Sequence, residues 1–311
     1  MPTKTLTRRF LLKGLAASPC VAAFNWPLAS FAATENLGVQ VINDRISALT
    51  GAGGNVVIYK GNQGLTLIDS GSAEHAAALL ALVDEVGGQA PISTLFNTHW
   101  HEDHSGGNEA VRARGAKILA HENTKLWLGA EFDVEWRNFS HQPRPAAALP
   151  DQTFYTSGKL DLGGETVEYD YYQQAHTDGD ITLFFPDSNV LVAGGLVTHY
   201  KYPICDVATG GWIGGLVNAL AALLAKVNDS TVIIPDRGPA LTKADLQAQH
   251  AMLADLYEKM KAVAQEGLNG HDMLQTKITA DYDARWGDPE EFVQETYRGM
   301  WAHTYDMGGF I

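Results

Sequence analysis

The sequence predicts an α+β fold, a four-layer αββα sandwich with a C-terminal helical extension. Two observations carry that expectation. Short β-branched runs followed by an amphipathic helical stretch occur twice in the same order, once before residue 130 and once after residue 150. Beyond Leu241 the pattern changes, since residues 243–266 and 289–303 read as helices with no strand between them. At 311 residues and 45% hydrophobic content the chain is long enough to bury such a core.

The N-terminus is set aside first. Thr7-Arg8-Arg9-Phe10-Leu11-Leu12-Lys13, followed by a weakly apolar run to Ala33, has the layout of a twin-arginine export signal, so residues 1–33 are read as a signal peptide. Lys13, Pro19, Asn25 and Pro27 interrupt the run, which falls short of the ~18 clean apolar residues of a membrane span. The expected partners are therefore the twin-arginine machinery during export and no stable membrane anchor after cleavage. The expected location is periplasmic or secreted.

Cleavage would remove Lys4, Arg8, Arg9 and Lys13 and no acid, taking the formal charge from −14 to −18. So acidic a chain, without clustered Lys and Arg, is not expected to bind nucleic acid. Cys20 would leave with the signal, and Cys205 alone cannot form an intramolecular disulfide.

In the expected core, residues 34–241, the runs at 39–42, 45–49, 55–59 and 65–69 are separated by turn residues and read as an antiparallel meander. Residues 72–86 carry an apolar helical stripe, and 92–96 form a buried strand. A helix over about 107–114, a strand at 117–120 and a helix opened by His121 follow. Residues 129–150 hold Trp136, His141 and three prolines with no period, and read as an irregular functional flap. Strands return at 166–171, 181–185 and 190–193, the last two joined by a turn at 186–189. A helix over 212–227 and a strand at 231–234 complete the core, and residues 242–311 form the helical extension.

The chemistry concentrates in Asn97-Thr98-His99-Trp100-His101-Glu102-Asp103-His104, three histidines and two carboxylates within six residues. That donor density suits a borderline-soft divalent cation such as zinc. His99 and His101 alternate around Trp100, so an extended backbone points both imidazoles the same way. A lone histidine is more often structural, and His75, His121, His141, His199, His250, His271 and His303 are read so. Trp100, Trp136 and Trp212 are read as packing residues before substrate platforms, though any could wall a pocket.

This H-x-H-x-D-H run resembles that of the metallo-β-lactamase-fold hydrolases. Leu67-Ile68-Asp69-Ser70-Gly71 is similar to the family's early aspartate turn, and Ala175-His176-Thr177-Asp178-Gly179-Asp180 to its third-histidine motif. The resemblance implies a first metal held by His99, His101 and His176 with a fourth position for water, where zinc would make a hydroxide nucleophile. Asp69, and Asp180 after His176, would orient the ligand loops.

Departures from the family matter as much. Two-metal members follow the strand at 190–193 with a glycine and a bridging aspartate, or a cysteine in the lactamases proper, where this chain has Gly194-Gly195-Leu196. In place of the family's proline, glycine, histidine and glycine stands Pro235-Asp236-Arg237-Gly238, which puts Arg237 at the last ligand position. An arginine offers no lone pair to a metal but can pair with Asp103. Asp103 and His104 then become either a general-base pair or the remnant of a second site held by Arg237, and His199 or Cys205 could rebuild that site from the loop after Gly195.

The resulting expectation is an exported hydrolase with one zinc ion, cleaving an ester, thioester, lactone or similar acyl bond of a small molecule. Asp103 would steer the water and Arg237 would pair with it, or hold a carboxylate of an anionic substrate. Strict β-lactamase activity is not expected without the second-metal ligands. The alternative is a catalytically impaired periplasmic binding or accessory protein on the same fold.

Overall fold

The computed structural model describes residues 37–305. The expected export segment at 1–33 and residues 306–311 of the C-terminal extension lie outside the described residues.

Strands β1 (Gly38–Val41), β2 (Ile46–Ala52), β3 (Gly54–Gly61) and β4 (Gly64–Ile68) pair in succession as an antiparallel meander. Helix α1 (Ala76–Gly87) then carries the chain back so that β5 (Ile92–Phe96) runs parallel to β4. The short helices α2 (Glu102–Ser105) and α3 (Asn108–Ala113) lead to β6 (Lys117–His121), parallel to β5, and to α4 (Glu122–Gly129). Next come the small antiparallel pair β7 (Phe132–Val134) and β8 (Phe139–His141), then β9 (Gln152–Phe154). The first sheet has seven strands in the order β1-β2-β3-β4-β5-β6-β9.

The second half repeats the plan. Strands β10 (Gly158–Asp161), β11 (Thr166–Tyr172), β12 (Asp180–Phe185) and β13 (Val190–Gly194) form an antiparallel meander. Helix α5 (Ile213–Lys226) is the crossover to β14 (Val232–Pro235), which lies parallel to β13. Helices α6 (Lys243–Gln265), α7 (Gly270–Gln275), α8 (Ala280–Trp286) and α9 (Glu290–Ala302) follow. No helix of the described residues is long and apolar enough to cross a membrane.

Side-chain alternation along the strands builds the layers. In β3, Val57 and Tyr59 enter the apolar cluster between the two sheets, while Val56 and Ile58 face α1 with Leu79 and Val83. In β13, Val190 and Val192 join the inter-sheet cluster, and Leu191 and Ala193 pack on the opposite face with Leu216 and Leu220 of α5. Leu253, Leu256 and Met260 of α6 belong to that outer cluster, as do Trp286, Phe292 and Met300. The C-terminal helices thus share the hydrophobic layer that covers the second sheet. Thr242 starts α6 with a capping box to Asp245, a stop-and-start signal worth about 1 kcal/mol.

The stretch 129–150 departs from the expected irregular loop because it contains β7 and β8. Strands of three residues are too short to show a period, and their pairing is supported by ring contacts of Phe132 with Trp100 at 5.6 Å and with His141 at 5.1 Å.

Parallel pairing places the site. Because β4 lies beside β5 and β13 beside β14, the loops after Ile68, Phe96, Gly194 and Pro235 leave the sheets at adjacent C-terminal ends. The Ile181 N–H donates to the Thr98 carbonyl at 2.9 Å, and the Asn55 N–H to the Asp236 carbonyl at 2.7 Å, so both sheets are tied at that edge.

Candidate metal centre

His99, His101 and His176 converge where these loops meet, each presenting one ring nitrogen within 4.8 Å of the others. His101 Nδ1 and His176 Nε2 stand 3.1 Å apart. Two nitrogens sharing one tetrahedral zinc at ordinary bond lengths lie about 3.3 Å apart. The spacing fits a shared cation, and this is the one such group among the described residues.

Each ring is oriented from behind. His99 Nδ1 meets Thr98 Oγ1 at 3.0 Å, and that hydroxyl donates in turn to Asp69 Oδ2 at 2.7 Å. His101 Nε2 donates to Asp206 Oδ2 at 3.0 Å, and His176 Nδ1 to the Ile204 carbonyl at 2.8 Å. These partners take the ring N–H groups and leave His99 Nε2, His101 Nδ1 and His176 Nε2 as lone pairs facing one another. Burial favours the neutral form that ligation requires at two of the rings: His99 is held well below its usual pKa, and burial with the adjacent His101 pushes His176 down to about 3.

The loops themselves are held by carboxylates. Asp69, at φ +62°, accepts the Thr98 N–H at 2.7 Å on Oδ1 and faces His104 Nδ1 at 2.7 Å with Oδ2. Asp180 accepts the N–H groups of His176 and Thr177 at 2.7 and 2.8 Å, which fixes the turn carrying the third histidine. Asp206 has no motif around it. Burial acts to raise its pKa, but hydrogen bonds from His101 and Thr209 hold it down to about 2.

Beside the triad lies a second group. Arg237 Nη2 donates to Asp103 Oδ2, and its Nη1 to the Gly53 carbonyl at 2.8 Å. His104 Nε2 is 3.5 Å from the same Asp103 oxygen. Burial acts to lower the His104 pKa, but Asp69 and Asp103 hold it up at about 9, while His104 and Arg237 keep Asp103 low against its own burial. Positive charge from side chains therefore surrounds Asp103.

Gly195, at the position where the sequence expects two-metal members to carry a bridging carboxylate, packs tightly against the third histidine. A Cβ at Gly195 would stand 2.3 Å from His176 Cδ2, so any side chain there displaces the ligand ring. A Cβ at Gly54 would likewise meet the His104 ring at 2.5 Å. Neither His199 nor Cys205 lines the 400 Å³ cavity over the triad: Cys205 is buried in the outer core and His199 lies against Tyr200. Asp236, next to Arg237, does line it, with Oδ1 buried and unpartnered and its pKa raised to about 6 by burial. Sequence reasoning missed Asp206, Ile204 and Asp236.

Residues 49–237 match the family model of the metallo-β-lactamase superfamily. Among known proteins, the chain is 30% identical over 139 residues to a hydroxyacylglutathione hydrolase of Erythrobacter litoralis, covering 43% of this chain and 47% of that one. It is 24% identical over 184 residues to a type 2 metallo-β-lactamase of Bacillus sp. (strain 170), covering 59% and 66%. The chain spans about half the length of the first curated relatives it matches. Among solved structures it superposes on a metallo-β-lactamase from Pontibacter korlensis with TM-score 0.58 at 22% identity, covering 70% of this chain and 99% of that one. On a sec-alkylsulfatase from Pseudomonas sp. the TM-score is 0.65 at 18% identity, over 84% and 50%; both likenesses are of fold alone. The match over most of the core, together with the histidine triad at the expected edge of the two sheets, makes this chain a member of the metallo-β-lactamase superfamily.

Proposed function

We propose that the chain is a zinc-dependent hydrolase of an acyl bond, an ester, thioester or lactone of a small molecule, working with one metal ion. The observation that carries this reading is the convergence of three ring nitrogens, each on an imidazole whose opposite nitrogen is engaged by a hydrogen-bond partner. When bound there, zinc supplies Lewis acidity and lowers the pKa of water to near neutrality. The chain's own residues do the rest. His99, His101 and His176 hold the cation, and Asp103, kept ionised by its cationic neighbours, accepts a hydrogen bond from water and orients it towards the carbonyl carbon. Arg237 holds Asp103 in place and supplies fixed positive charge beside the developing oxyanion, or meets a carboxylate of an anionic substrate.

A second reading, a binding or accessory protein that has lost turnover, is favoured by one observation: the Arg237 guanidinium engages the carboxylate that two-metal relatives use as a ligand. Elemental analysis of the purified chain together with a panel of esters, thioesters and lactones separates the two. Bound zinc with turnover supports the hydrolase. No transition metal, and an untouched panel after zinc addition, sinks it.

We also propose export by the twin-arginine route to the periplasm or beyond, on the Arg8-Arg9 signal layout. Fractionation of the native host with N-terminal sequencing of the mature chain tests this. A cytoplasmic protein beginning at Met1 would contradict it.

A further inference from the structure

A second cavity, of about 870 Å³, opens beside the metal triad, and nothing in the proposed bond cleavage requires it. It adjoins the metal cavity, with His101, Asp103, Arg137, Asp206 and Glu291 lining both. Its far walls are Leu128 at the end of α4 and Phe132, Val134 and Phe139 of the β7–β8 flap.

These walls are built. The Trp100 ring meets Phe132 edge-on at 5.6 Å and His141 at 5.1 Å, and Trp127 meets Phe132 at 5.2 Å. The Trp100 Nε1–H is satisfied by Thr209 Oγ1 at 3.1 Å, so the indole brings no unmet polar group to the cavity. The flap is fastened to α9: Trp136 Nε1 donates to Glu295 Oε2 at 3.3 Å, Arg137 pairs with the same carboxylate at 3.2 Å, and Arg298 lies 4.7 Å over the Trp136 ring.

The volume is that of a pocket for a drug-sized body, several times what an acetyl group would occupy. Its charges argue against an anionic occupant. Four carboxylates, Glu102, Asp103, Asp206 and Glu291, line it against two guanidiniums, Arg137, which faces Glu295 at 3.2 Å and Glu291 at 3.9 Å, and Arg144, which donates to the Gly106 carbonyl at 3.0 Å. We propose, resting on the hydrolase reading above, that the substrate carries an extended apolar arm, alkyl or aryl, which lies between Trp100 and the β7–β8 flap while the scissile bond sits over His99, His101 and His176. The cavity then selects by apolar length and the metal centre by bond type.

The test uses the zinc-loaded full chain and two readouts. p-Nitrophenyl esters from acetate to decanoate are assayed for kcat/KM, and sodium acetate, octanoate and decanoate are titrated calorimetrically. The expected result is a rise in kcat/KM of at least about thirtyfold from acetate to decanoate, mostly through KM, with decanoate binding tighter than acetate by a similar factor. Phe139→Asp, at a position 43% exposed, and Val134→Asp are each expected to abolish the chain-length preference in both readouts. Turnover that is flat with chain length, within about twofold, overturns the apolar arm and leaves the hydrolase reading standing. Absence of turnover with decanoate still bound more tightly than acetate sinks the hydrolase reading and keeps the apolar subsite. A chain-length preference that survives both substitutions, in chains whose circular dichroism matches that of the parent, overturns the assignment of the flap as its wall.

Discussion

Arg237 Nη2 donates to Asp103 Oδ2, and Arg237 is the residue the sequence expects at the family's last metal-ligand position. With Nη1 on the Gly53 carbonyl, the guanidinium is held at two points and, with His104 3.5 Å from the same oxygen, neutralises the Asp103 carboxylate. Arg237→His is therefore expected to raise bound zinc from one equivalent towards two, read by elemental analysis. Metal content and activity indifferent to the change would show that the loop after β14 does not occupy the second-ligand position.

Restoring the other missing ligand should have the opposite effect. A side chain at Gly195 must share space with the His176 ring, 2.3 Å from where its Cβ would be. Gly195→Asp is expected to drop bound metal below that of the parent, although it recreates the carboxylate two-metal relatives carry. A gain of a second equivalent would mean that His176 has room to move.

Asp206 supports His101 from behind at 3.0 Å and fixes which ring nitrogen faces the triad. Asp206→Ala should weaken zinc affinity by about 10–100-fold, the usual effect of losing a hydrogen-bond partner of a metal-bound imidazole. Competition against a chromogenic chelator measures it, and an unchanged affinity would contradict the role.

His121 gives a pH dependence away from the metal. It caps α4 by accepting the Asn123 N–H on Nδ1 at 3.2 Å, and its ring stacks on Tyr171 at 3.8 Å. Burial lowers its pKa below the usual 6.5, so the unfolded chain binds the proton more readily than the folded one. Stability from this group is then complete above about pH 6.5 and declines as pH falls below that value. His121→Asn keeps a capping acceptor and removes the titration, and is expected to flatten the acid limb of a denaturant-midpoint profile between about pH 6.5 and 5. An unchanged limb would contradict the assignment.

Much of this architecture is legible in the residues. The apolar run at residues 56–59 reads as a strand, its two faces both buried in the structure, and the two meander-then-helix blocks correspond to the two sheets. What the residues do not carry is pairing over distance: β9 joins β6 across the flap, and a strand of three residues leaves no periodic trace. Helices α7 and α8, of six and seven residues, are hidden for the same reason. At the site, His99, His101 and His176 stand in motifs, whereas Ile204 acts through a carbonyl that no side chain advertises. Asp206 did leave a trace, as the lone acid between Asp187 and Asp229.

The central claim is one metal ion held by three imidazoles beside an arginine-filled second position. Zinc content of the purified chain, compared with His176→Ala, tests it most directly. The account predicts one equivalent in the parent and close to none in the variant. Two equivalents in the parent, or one retained after His176 is lost, would contradict it.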